Sequence, residues 1–299
     1  MAHGARMGGT AAPPGLRPCL LVLGMHRSGT SALARGLVVL GADLGGELLP
    51  ALPCNPRGFF EDRDVYACNR SLLAELGLTW SSPGPIAPRR LLELASGAAG
   101  QDALRLLRAK TAGLALPAFK DPRLSRLMPF WRPLFAAAGL APRCLLALRH
   151  PEAVARSLAR RDGMDAGAAH ALWLRYTLDA LDGSTGLPRL LVAYERLLAA
   201  PGRELARLGH ALGLPLDAVA LDTFSHDFLD ASLCHHEAPA TGPAQGEPGP
   251  LERLDLRLYA ALEPLAAAPP GEVETALEGG RLLRLRRECA AALAGAAAP

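Results

Sequence analysis

Aromatic residues are scarce, at 5% of the 299 residues, and the formal net charge is only +3. So small a charge gives no ground for a nucleic-acid partner, although a local basic cluster can still bind a small anion. No C-x-x-C pair or Cys/His metal spacing occurs. Cys19, Cys54, Cys68, Cys144, Cys234 and Cys289 are scattered, which reads as free thiols in a reducing compartment rather than a disulfide framework. No apolar run is long and unbroken enough to span a bilayer, and residues 1–18 hold no apolar stretch of signal-peptide length. These absences lead to the expectation of a cytoplasmic protein without integral membrane contact. Hydrophobic residues nevertheless reach 50%. With few aromatics, the expected core is Leu, Ala and Val, joined by Cys19 and Cys144 from apolar strand-like runs.

Four such runs recur, each followed by helical sequence: "CLLVLGM" from Cys19, "LALPAFKD" ending at Lys120-Asp121, "RCLLALRH" ending at Arg149-His150, and "RLLVAYE" ending at Tyr194-Glu195. Nearly continuous apolar strands alternating with helices predict an α/β fold: a central parallel sheet covered on both faces, three layers α/β/α, with helical insertions. Ligands of such sheets gather beyond the carboxyl ends of the strands, so the polar residues there should converge. The expected organisation is a flexible segment over 1–17, an α/β domain over 18–236, a Pro/Gly linker over 237–250 and a C-terminal segment over 251–299 with two helical stretches.

Between the first strand and its helix lies Met25-His26-Arg27-Ser28-Gly29-Thr30-Ser31. This is close to the P-loop G-x-x-x-x-G-K-[ST], with Gly24 and Gly29 in the glycine places. Its lysine is missing, however: Thr30 stands there, and Arg27 has appeared within the loop. Loop N–H groups, the hydroxyls of Ser28, Thr30 and Ser31, and the Arg27 fork suit a phosphate or sulfate. The absent lysine argues against an ordinary ATPase. A second stretch, "LRHPEAVARS", puts Arg149 at a strand end and Ser157 two turns into a helix that begins well at Pro151.

"GMHRSGTS", "LRHPEAVARS" and "VAYERLL" together resemble the sulfotransferases that use 3′-phosphoadenosine 5′-phosphosulfate (PAPS), over roughly residues 18 to 235. The resemblance implies a P-loop-like fold in which Arg27, Ser28, Gly29, Thr30 and Ser31 hold the 5′-phosphosulfate. It also implies that Arg149 and Ser157 hold the 3′-phosphate and that Tyr194 lies near the nucleotide. His26 replaces the family's usual proline, and the late R-K-G stretch of cytosolic members is absent, so the chain looks closer to bacterial and carbohydrate-type members. The product would be adenosine 3′,5′-bisphosphate, the acceptor a hydroxyl on a glycan or small molecule, and no metal would be required.

The base is sought in "NPRGFFED", Asn55 to Asp62. Glu61 is the candidate general base, Phe59 or Phe60 a stacking surface, and Asp62 a helix cap. Lys120 is a candidate for the sulfuryl or leaving phosphate group, and Arg123 for the substrate or for bracing Glu61. His26 is the alternative base or a donor to the sulfuryl oxygen. His150 reads as a packing or capping residue. The pair His235-His236 lacks a third ligand at metal spacing. A kinase-like phosphotransferase with a modified P-loop, or a nucleotide-binding protein without turnover, are the alternative readings.

Overall fold

The structure is a computed structural model that describes residues 15–53, 55–229 and 249–296. Cys54, Cys234, the pair His235-His236, most of the expected linker and most of the N-terminal segment lie outside the described residues. In chain order the elements are β1 (Arg17–Gly24), α1 (Thr30–Val39), α2 (Arg63–Glu75), α3 (Pro88–Ser96), α4 (Ala98–Thr111), β2 (Ala118–Lys120), α5 (Leu124–Ala137), β3 (Leu140–Leu148), α6 (Pro151–Asp162), α7 (Ala166–Gly183), β4 (Arg189–Ala193), α8 (Tyr194–Ala199), α9 (Pro201–Leu212), α10 (Ala218–Thr223), α11 (Pro250–Leu262), α12 (Pro270–Glu278) and α13 (Gly280–Ala296). The C-terminal segment thus holds three helices rather than two, separated at Pro269-Pro270 and at Gly279.

All four strands are parallel, in the order β2-β1-β3-β4. The chain leaves β1 for β2 on one side and then crosses to β3 on the other. The order therefore reverses at β1 and β3, and in doubly wound sheets the crevice opens beyond that point.

Side chains alternate across a strand with period two, so each strand feeds two cores. Cys19, Leu21, Leu23, Phe119, Cys144, Leu146 and Leu191 face α2 to α7 and α11 to α13. Leu20, Val22, Ala118, Leu145, Leu190 and Val192 face α1, α8 and α9, with Phe224 beyond α10. This is the three-layer architecture expected. Burial pushes the thiols of Cys68 and Cys289 up to about 11 and that of Cys144 up to about 12, so they stay protonated and inert. Among the described residues no helix is long and apolar enough to cross a membrane.

The C-terminal helices share the larger core. Leu258 of α11 is wholly buried in it. Arg189 at the start of β4 donates to both oxygens of Glu274 in α12, at 3.0 and 2.8 Å. Leu258→Ala should therefore cost about 2–5 kcal/mol and lower the midpoint of a single cooperative unfolding transition. Melting of α11–α13 as a separate early step, followed by circular dichroism, would contradict a shared core.

Candidate active site

Beyond β1 the backbone turns sharply. Gly24 has φ 140°, and a Cβ there would stand 2.7 Å from the carbonyl oxygen of Ala147 in β3. Gly29 has φ 80°, and a Cβ there would drive into the Tyr194 ring at 2.2 Å. Both positions need glycine. Gly29 is also the N-cap of α1 and offers no side-chain cap, so the first N–H groups of that helix stay available to an anion. Ser28 is buried and lies outside the cavity wall described below.

Arg27 adopts φ 67°, uncommon for a residue with a side chain. Two contacts hold it there. Its Nε donates to Ser157 Oγ in α6 at 2.8 Å. Its carbonyl accepts from Arg149 Nη1 at 2.9 Å. Arg149 stands just past β3, its guanidinium 4.5 Å from the centre of the Tyr194 ring. Trp173 Nε1 in turn donates to the Arg149 carbonyl at 3.0 Å. His150 stands at the N-terminal end of α6 without a side-chain cap, Pro151 opens the helix, and the His150 ring packs edge-on against Tyr259. Residues 27, 149, 157 and 194 thus meet at the ends of β1, β3 and β4.

Opposite them, Lys120 at the end of β2 is buried and spends three donor contacts. Its Nζ lies 2.6 Å from Glu61 Oε1, 2.9 Å from the Phe59 carbonyl and 3.3 Å from Ser31 Oγ. Glu61 Oε2 lies 3.7 Å from Arg123 Nη1. Burial raises the Glu61 carboxyl above its usual range, while Lys120 and Arg123 pull the other way. Arg123 is itself fixed, by a 2.8 Å bond to Asp121 Oδ1 and by the Tyr66 ring. Of the two roles weighed for it, the geometry matches the bracing of Glu61. Asp121 Oδ2 accepts from Asn69 at 2.9 Å, and Asn69 Oδ1 accepts from Trp131 at 2.7 Å. Asn69 carries no signal in the sequence; it is one polar residue in a helical run.

Asp62 caps α2, its Oδ1 accepting from the N–H groups of Asp64 and Val65, both at 3.0 Å. Phe60, at φ 58°, turns its ring edge-on to Phe228, whereas Phe59 lines the cavity. His26 packs against Trp80 and Tyr176, ring centres 4.7 and 5.6 Å away. Its Nε2 is buried without a partner among the described residues. Burial first, then the nearby Arg123, Arg161, Lys120 and Arg27, hold its pKa well below the usual value. An imidazole so depressed stays neutral in the folded chain.

These groups surround a cavity of about 530 Å³, within the usual range for small-ligand sites. Its wall carries Arg27, Arg57, Lys120, Arg149, Arg160 and Arg161 beside the carboxylate of Glu61, and Arg161 is also paired with Asp162 at 2.7 Å. The positive excess at this wall suits an anion. A larger cavity of about 840 Å³ among α11–α13 lacks this convergence: its one carboxylate, Glu288, is paired with Arg257.

No family model matches the chain, and no curated protein matches it. Among solved structures it is similar to the sulfotransferase domain from the Synechococcus PCC 7002 olefin synthase, with 20% identity and a TM-score of 0.47, covering 83% of this chain and 97% of that one. It is also similar to the sulfotransferase domain from the curacin biosynthetic pathway, with 17% identity and a TM-score of 0.42, covering 95% of this chain and 99% of that one. Both superpositions are loose.

The His26 environment has a pH consequence. With its folded pKa lowered, His26 stays neutral as pH falls through about 6.5, whereas the unfolded chain binds a proton there. Its contribution to stability is therefore lost on acidification below about pH 6.5. His26→Gln should fall less steeply in stability between about pH 6 and 5, by up to about 1.4 kcal/mol per pH unit. Denaturant titrations at stepped pH would show identical slopes if His26 protonates freely in the folded state.

Proposed function

We propose that the chain is a PAPS-dependent sulfotransferase that moves the sulfuryl group to an acceptor hydroxyl on a carbohydrate or small molecule. One observation carries the reading: the interlocked Arg27, Arg149 and Ser157 face the buried Glu61–Lys120 pair across one basic cavity. The donor set fits the nucleotide. The cations match its several negative charges, and the N–H groups that open α1, left without a side-chain cap at Gly29, suit a phosphate.

When bound, PAPS supplies the sulfuryl group and leaves as adenosine 3′,5′-bisphosphate. Arg149 and Ser157 are assigned to the 3′-phosphate. Arg27, Thr30, Ser31 and the N–H groups opening α1 are assigned to the 5′ side, where they meet the charge on the transferring group and the departing phosphate. Glu61 takes the acceptor proton onto its carboxylate, which frees the oxygen to attack sulfur. A carboxyl raised by burial accepts a proton more readily than an exposed one. Lys120 aims and charges that carboxylate, and it reaches the sulfuryl oxygens only by releasing one of its present acceptors. Arg123 braces Glu61 from the other oxygen. His26, uncharged, packs beside the loop and donates to the sulfuryl oxygen. No resident metal takes a role in these steps.

In calorimetry, Arg149→Ala should weaken adenosine 3′,5′-bisphosphate by roughly tenfold to a hundredfold, about 1.5–3 kcal/mol. Adenosine 5′-phosphate should lose far less, and equal losses would remove Arg149 from the 3′-phosphate role. ATP with Mg²⁺ should raise the melting temperature less than adenosine 3′,5′-bisphosphate does; the reverse order would favour a phosphotransferase.

Glu61→Gln keeps size and hydrogen-bonding reach but removes the proton-accepting carboxylate. Sulfate transfer from labelled PAPS should drop by about 10²–10⁴-fold, with nucleotide affinity nearly unchanged. Near-normal turnover would move the base elsewhere, with His26 tested next.

A further inference from the structure

Outside the cavity, a second group of chemistry-bearing side chains meets where α6, α7 and α11 touch. Glu152, His170 and Glu252 each offer one ligand atom, all within 4.8 Å of one another. None of the three lines the basic cavity. They are separated by up to 100 positions in the chain, so no spacing in the sequence announces them.

The imidazole is aimed like a metal ligand. His170 Nδ1 stands 2.6 Å from Asp255 Oδ2, so the ring gives a proton to that carboxylate through Nδ1, and Nε2 is the nitrogen turned to a metal once its own proton is displaced. A carboxylate behind the distal nitrogen is the usual support of a metal-bound histidine. Asp255 is wholly buried, and its other oxygen, Oδ1, has no partner among the described residues. His170 Nε2 stands 3.3 Å from Glu152 Oε1. That is long for a charged hydrogen bond. It matches the edge of a tetrahedron with metal–ligand bonds of about 2.0–2.1 Å, whose neighbouring ligand atoms lie about 3.3 Å apart.

Charge points the same way. Three carboxylates surround one ring, and even a protonated imidazole offsets only one of them. Arg156 reaches Glu152 at 3.8 Å, but through the other oxygen. Glu252 uses Oε2 to accept from the Gly249 N–H at 3.1 Å, which fixes the carboxylate at the start of α11.

We propose that Glu152, His170 and Glu252 bind one divalent cation of the zinc class, with water completing the set and Asp255 orienting the ring. One nitrogen and two carboxylate oxygens favour Zn²⁺ over Mg²⁺ or Ca²⁺, which prefer oxygen alone. The ion staples α11 to α6 and α7. It stands apart from sulfuryl transfer and needs no nucleotide.

The test uses the full chain, stripped with a chelator and titrated with Zn²⁺ alone in a calorimeter. One equivalent should bind, and the melting temperature should rise with Zn²⁺ concentration and return on chelation. Glu252→Gln and His170→Gln should each weaken binding by at least tenfold. Asp255→Asn should weaken it by about 10–100-fold, as loss of a supporting carboxylate does. Cys68→Ser should leave binding unchanged. Absence of stoichiometric binding overturns the proposal, as does undiminished affinity in Glu252→Gln, whose partly exposed side chain keeps that variant informative should His170→Gln fail to fold.

Discussion

A carboxylate and an ammonium 2.6 Å apart, both almost shut off from water, hold the active side of this molecule together. Taking both charges out of water costs several kcal/mol per ion, and the pair persists only when the remaining donors and acceptors are also met. Here they are. Lys120 reaches Ser31 at the start of α1 and the Phe59 carbonyl as well as Glu61, so one ammonium joins β2, the phosphate-loop helix and the Asn55–Asp62 loop. Arg123 meets the far oxygen and passes the network on through Asp121 and Asn69 to Trp131. The chemistry and the packing therefore share their residues, and removal of Lys120 would leave Glu61 buried beside too little positive charge.

Strain gathers around the same cavity. Arg27 and Phe60 are the non-glycine residues of positive φ among those described. Each such conformation costs on the order of 1–3 kcal/mol and persists only where neighbours over-determine it. Arg27 is pinned through its carbonyl by Arg149 and through its side chain by Ser157. Phe60 is pinned by Phe228. The strained turn at Arg27 brings its guanidinium over to α6, 130 positions away in sequence, and so joins the loop after β1 to the helix after β3.

What was legible in the sequence was local. Apolar runs marked the strands, and the reversal in strand order places their polar ends together. Pro151 marked the start of α6, and Asp62 marked the start of α2. The missing lysine marked a departure of this loop from the ATP-binding pattern. What was not legible was long-range. Asn69, Trp80 and Tyr176 sit in ordinary helical or Pro-rich sequence, and their roles exist only once α2, α7 and the Trp80 stretch pack around His26 and Asp121. Arg160 and Arg161 drew no notice in the sequence, yet from the last turn of α6 they line the cavity. The number of C-terminal helices was undercounted because apolar residues at helical spacing continue past Gly279.

Helix α6 carries two of these relationships on different faces. Ser157 and Arg161, one turn apart, look into the cavity. Glu152 lies roughly 140–180° around the helix from them at 100° per residue, and it faces His170 and α11. The same α11 carries Tyr259, whose ring backs His150, the neighbour of Arg149. Docking of the C-terminal helices therefore bears on the Arg149 side of the cavity through packing behind it, with none of the described residues of α11–α13 in the cavity wall. A change at that joint should shift Arg149 and Ser157 together, while the Glu61–Lys120 pair, anchored on β2 and α1 at the other side of the cavity, stays where it is.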